Sequence, residues 1–126
     1  MLLQLDFYSE APIYLQIRNQ IVMDIAEGRL KVGERLPSIR TLAAQSGINV
    51  MTVNKAYAFL KGEGYITVDR RHGAAVADTE ENGSLSSKWL NQLRLIAAEA
   101  RLSGMKEEDF LSLSAKIFNQ GGGENG

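Results

Sequence analysis

The chain of 126 residues is long enough for one modest domain and an appendage, not for two full domains. Its 44% hydrophobic and 23% charged residues are ordinary for a globular protein, and no run approaches the roughly 20 apolar residues that cross a bilayer. The absence of cysteine excludes disulfides, a thiolate nucleophile and zinc–cysteine sites. The opening "MLLQLDFYSEAP" lacks the basic residues of a secretory signal, so a cytoplasmic address is expected.

A first helix is predicted from about Pro12 to Glu27, with proline at the first helical position, where its missing N–H costs nothing. Ile13, Ile17, Ile21 and Ile25, with Tyr14 and Val22, form its apolar face, and Gly28 stops it. "RLKVGERLPS" then makes a glycine turn, with a very short strand near Arg35–Leu36. Ser38 caps a second helix that carries Ile39, Leu42 and Ala43 inward and ends at Gly47. In "INVMTVNKAYAFLKGEG", Asn49 caps a third helix with Val53, Ala56, Tyr57 and Leu60 on one stripe. A short helix, a glycine turn and a longer helix outline a helix-turn-helix, whose second helix enters the DNA major groove.

"YITVD" alternates as a half-buried strand, with Ile66 and Val68 opposite Tyr65, Thr67 and Asp69. "RRHG" turns and "AAVAD" returns, giving a two-stranded hairpin. The fold class is therefore mainly α with a small β-hairpin wing: an N-terminal winged helix-turn-helix over residues 1–78. A polar break follows, with a linker at 79–84. Two helices then fill 85–119, with Leu85, Trp89, Leu93, Ile96 and Ala100 on one face of the first. Phe110, Leu113, Ser114 and Ile117 lie on the second, flanked by Leu111 and Phe118, and residues 120–126 read as a disordered tail. Two helices cannot enclose a core, so this segment needs a partner surface. Leu85, Trp89, Leu93, Ile96, Phe110, Leu113 and Ile117 are its candidate dimer interface.

The net charge of −1 hides an asymmetry. From Arg29 to Gly73, eight Lys/Arg oppose three acidic residues, a surplus of five positive charges. From Asp78 to Gly126, five basic residues meet eight acidic ones. Placement rather than total charge decides whether a surface suits a polyanion. Met51, Asn54 and Lys55 face away from the apolar stripe at the start of the third helix. Asn can pair bidentately with adenine, apolar side chains meet thymine methyls, and Lys reaches a phosphate.

At these residues the chain resembles the GntR family of bacterial transcription regulators, over roughly Pro12 to Asp78. The matching elements are "PIYLQIRNQI", "G-x-x-LPSIRTLA", "GINVMTVNKAY", "L-x-x-EGYI" and the "HG" of the wing. The short two-helix tail is similar to the YtrA subfamily. The resemblance implies a homodimeric DNA-binding regulator, often a repressor, on double-stranded DNA with an inverted-repeat operator. It implies DNA contacts by Arg40, by Asn49, Val50, Met51, Thr52 and Asn54, and by His72 and Gly73 at the wing tip. Many members carry arginine where this chain has Val50 and Asn54, so A·T-rich contacts are expected in the half-site.

Each of these residues has a plainer reading. Val50 lies near the core stripe, so packing and base contact both stand. Asn49 can serve as a cap and nothing more, and Met51 can be an ordinary exposed side chain. Arg70, Arg71 and His72 form a basic turn that suits a backbone or minor groove, and a lone His without cysteine makes no metal site. No nucleophile–base pair or metal set is present, so neither enzyme activity nor a cofactor is expected. The two-helix tail is too small for a pocket, which would leave any small-molecule effector at the dimer interface. The alternative function is a winged helix used as a protein-interaction module.

Overall fold

The computed structural model describes residues 1, 3–79 and 83–121. The elements run α1 (Ile13–Ala26), α2 (Ile39–Ser46), α3 (Val50–Gly62), β1 (Ile66–Asp69), β2 (Gly73–Val76), α4 (Ser87–Leu102) and α5 (Glu107–Gly121). They divide into two units, Met1–Thr79 and Glu80–Gly126.

In the first unit, Pro12 is the cap rather than the first helical residue. Its ψ of 146° is extended, and its carbonyl accepts from the N–H groups of Leu15 and Gln16. Ile17 and Ile21 are fully buried, while Ile13, Tyr14, Val22 and Ile25 pack at the rim of the core. The chain ahead of α1 is tied to that helix by two glutamines. Gln20 Oε1 accepts from the Gln4 N–H and Gln16 Oε1 from the Asp6 N–H, both at 2.8 Å. Gln16 Nε2 donates back to the carbonyls of Asp6 and Ala11. Leu3 and Leu5 thereby lie against the core.

Ser38 accepts from the Thr41 N–H at 3.0 Å and starts α2 as expected. Gly47, with φ 68°, ends it in the left-handed conformation that lacks a steric penalty only for glycine. Val53, Ala56, Tyr57 and Leu60 of α3 are all buried against Ile17, Ile21, Leu36 and Leu42 in one cluster. The hairpin pairs Ile66 with Val76 and Asp69 with Gly73 in antiparallel register. On its other edge β2 meets the loop before α2. The expected short strand is there as a bridge between Arg35 and Ala75, with Leu36 N–H donating to Ala74 and Gly33 N–H to Val76. Val68 departs from the expected alternation and is exposed, because the strand runs past the edge of the core after Ile66.

In the second unit, α4 and α5 are joined by a turn in which Gly104 has φ 88° and the Met105 N–H donates to Ala100. Glu107, Glu108 and Asp109 occupy the first turn of α5, where the helix dipole favours negative charge. Two expectations shift. Leu85 lies ahead of α4, because Ser86 has extended dihedrals and helical geometry begins at Ser87. Gln120 and Gly121, expected in the tail, belong to α5; the rest of the expected tail, 122–126, and linker positions 80–82 lie outside the described residues. No described helix is long and apolar enough to cross a membrane.

Candidate nucleic-acid interface

The rotation of α3 about its own axis is set by what it buries. With Val53, Ala56, Tyr57 and Leu60 turned inward, helical geometry leaves Met51, Asn54 and Lys55 outward. Met51 is 77% exposed. Val50, for which packing and outward placement both stood, is exposed; Thr52 is half-buried. Asn49 caps α3, its Oδ1 accepting from the Met51 N–H at 2.7 Å, so that side-chain oxygen is already engaged. Asn54 is exposed one turn further along.

A second tie fixes α3 relative to α2. The Tyr57 hydroxyl donates to the Pro37 carbonyl at 2.7 Å, one residue before the Ser38 cap. Burial pushes the Tyr57 phenol up to about 12, so it stays a hydrogen-bond donor throughout the neutral range. Arg40, second in α2, is exposed.

Lys55 does not simply extend into solvent. Its ammonium lies 4.1 Å from the centroid of the Tyr14 ring on α1, and that ring is tilted against Phe59 at 5.4 Å. At the wing, Arg70, Arg71 and His72 form an exposed turn, while Gly73 is the first residue of β2 rather than part of the turn. Gly73 has φ 69°, a conformation that a side chain would strain. Asp69 gathers the tip: Oδ1 accepts the His72 backbone N–H at 2.5 Å, and Oδ2 lies 3.3 Å from His72 Nδ1. The backbone N–H of His72 is the main reason that the Asp69 carboxyl sits below its ordinary range.

One basic residue of the stretch is already engaged. Arg29 is held by Asp24, with Nη2–Oδ1 at 2.8 Å, and by Glu27, both of which precede the basic stretch. Among the described residues, Lys31, Arg35, Arg40, Lys55, Lys61, Arg70 and Arg71 make no ion pair. These seven remain available to a polyanion.

Sequence reasoning missed Arg18. It is buried on α1 and grips Glu63, the residue that closes α3, by two bonds of 2.9 and 3.2 Å. Its guanidinium also lies 5.7 Å from the Tyr65 ring centroid. The signal was its place between Tyr14 and Ile21 on the apolar face, where an unpaired charge would be costly.

The expected interface residues of the second unit fall into three groups. Leu93, Ile96, Leu113 and Ile117 are exposed on α4 and α5; Trp89 and Phe110 are half-buried; Leu85 is exposed ahead of α4. No described residue of this unit is buried. Among the described residues, no group of three or more His, Cys, Asp or Glu could hold a metal ion.

Comparison with known proteins gives this arrangement a context. Residues 13–76 match the family model of bacterial regulatory proteins, gntR family. The transcriptional repressor YtrA of Bacillus subtilis is 33% identical over 110 residues, 85% of this chain and 85% of its own length. A Listeria monocytogenes structure described as a transcriptional antiterminator superposes with a TM-score of 0.80 at 28% identity. It covers 100% of this chain and 96% of the other. The DNA-binding domain of AraR, solved in complex with operator ORX1, gives a TM-score of 0.53 at 27% identity, covering 60% of this chain and 93% of that one.

Proposed function

The chain belongs to the GntR family of bacterial regulatory proteins, a family of transcriptional regulators and not of enzymes, and from that premise we propose a cytoplasmic homodimeric repressor that binds an inverted-repeat operator. The observation that carries the reading is the seat of α3. Four buried side chains and the Tyr57–Pro37 hydrogen bond hold it so that Met51 and Asn54 face outward, in the unit that holds the seven unpaired basic residues. The name of the B. subtilis relative supports the repressor role, and the operator-bound AraR domain supports double-stranded DNA as partner.

In this reading α3 enters the major groove, where Asn54 pairs with adenine and Met51 meets thymine methyls. Arg40 and the wing-tip residues Arg70, Arg71 and His72 hold phosphate or minor-groove edges, and such contacts position the protein without reading sequence. Asn49 and Thr52 set the helix start, Val50 lines the groove entrance, and Gly73 shapes the wing. Dimerisation through α4 and α5 follows from their apolar residues, for which neither helix offers enough cover. A twofold dimer presents two α3 helices to major-groove segments about one turn, roughly 34 Å, apart or a multiple of it.

Selection of bound duplexes from a random pool tests this. The expected product is an inverted repeat with A·T pairs in each half-site. Equal binding of selected and scrambled duplexes, or equal competition by a structured RNA, overturns sequence-specific operator binding. Absence of any duplex shift favours the protein-interaction module instead.

A further inference from the structure

We propose that Tyr14 is a positioning residue for DNA binding: its ring holds the Lys55 ammonium ready for a phosphate at the junction of α1 and α3. The inference rests on the DNA-binding reading above. Tyr14 is the second residue of α1, half-buried, and its ring is fixed on one side by Phe59, one helical turn beyond Lys55. Lys55 Nζ lies 4.1 Å from the ring centroid, and among the described residues no carboxylate pairs with it.

The choice of a ring rather than a carboxylate matters. A carboxylate would neutralise the ammonium and compete with phosphate for its protons. An aromatic face attracts the cation through its quadrupole and leaves the charge in place. A lysine free in solvent must also surrender much of its rotamer freedom to contact a phosphate. Lys55 has surrendered part of it before DNA arrives. It lies one helical turn beyond Met51 on α3, so the held charge flanks the residues proposed to read bases. α3 itself carries no carboxylate, and Glu63, which closes it, is occupied by Arg18.

The experiment uses the full chain, the selected operator duplex and a scrambled duplex, with affinity followed across a salt series. Lys55→Ala should weaken both duplexes and lower the salt slope by about one. Tyr14→Leu should weaken binding about two- to five-fold, the reach of an exposed cation–π contact, with the slope unchanged because the charge remains. Tyr14→Phe keeps the ring and should bind as the parent does. In the Lys55→Ala background, Tyr14→Leu should cost nothing further. An equal loss from Tyr14→Leu in both backgrounds would show that Tyr14 acts only through the fold and overturns the proposal. Damage by Tyr14→Phe equal to that by Tyr14→Leu overturns it too, since the hydroxyl would then be the active group. If the parent protein binds neither duplex at any salt, the DNA-binding reading falls and this inference with it. If the parent binds but the losses simply add, only this inference falls.

Discussion

The two units are both built from helices with apolar faces and end in opposite states. The described residues of Met1–Thr79 bury thirteen apolar side chains in one cluster, the largest of them essentially sealed from water: Tyr57, Ile17, Ile21, Leu42, Leu60 and Val53. The α4–α5 hairpin leaves Leu93, Leu95, Ile96, Leu102, Leu113, Ile117 and Phe118 exposed. The difference lies in directions of closure. In the first unit, α1 and α2 flank α3 while the hairpin and the Arg35 bridge close its far end, so the inner face of α3 is covered along its length. Two helices side by side have only one shared face, and whatever lies outside it stays wet. An amphipathic pattern therefore shows that a face wants cover without showing what covers it.

The largest expected effect lies where closure is complete. Leu60→Ala should cost about 2–5 kcal/mol, the transfer loss plus the cavity left behind, measured by urea unfolding of the full chain. A loss under 1 kcal/mol would mean that the first unit is not the tightly closed body described and would erase the contrast.

Next comes Tyr57, which tests whether the seal around α3 holds against ionisation. Its folded pKa of about 12 lies above the value of roughly 10 for an unfolded tyrosine. Between those values the folded state keeps a proton that the unfolded state has released. Its contribution is thus intact below pH 10 and is lost as pH rises through 12, by at most about 3 kcal/mol. Measured as the difference between the parent and Tyr57→Phe, this alkaline loss should be absent from the variant. The variant also forfeits the bond to Pro37, about 1 kcal/mol, in the neutral range. Parallel pH curves for the two proteins would show that water already reaches the phenol.

The smallest effect on stability is expected at Ile117, and it sharpens the contrast most. Ile117→Asp should change unfolding of the Met1–Thr79 unit by no more than about 0.5 kcal/mol, as exposed substitutions do. Sedimentation should nonetheless show loss of the proposed dimer. A variant that stays dimeric puts the interface elsewhere.

Legibility in the sequence followed the same division. The α3 stripe, the Ser38 and Asn49 caps, the Gly47 turn and the hairpin could be read directly, because periodicity and cap chemistry are local. Leu85 was misplaced because its spacing from Trp89 fits a helix, and only the extended dihedrals of Ser86 reveal that none has begun. Arg18–Glu63 and Lys55–Tyr14 stayed hidden for a different reason: each joins residues more than 40 positions apart in sequence. Such pairs obey no period. Arg29 shows the same limit, since counting charges cannot reveal that Asp24 and Glu27 already hold one of them.

The double pairing of β2 has one more consequence. Because β2 is hydrogen-bonded to β1 on one edge and to the 33–36 loop on the other, the wing cannot swing as a free hairpin. That loop leads straight into Pro37, to which Tyr57 of α3 is bonded. On the proposed reading, the tip at Arg70–His72 and the reading face of α3 act as two marks on a rigid ruler. Any mismatch between that ruler and the helical repeat of a candidate site must be absorbed by bending or twisting of the duplex. Base steps that neither mark touches then contribute to site choice through their stiffness alone.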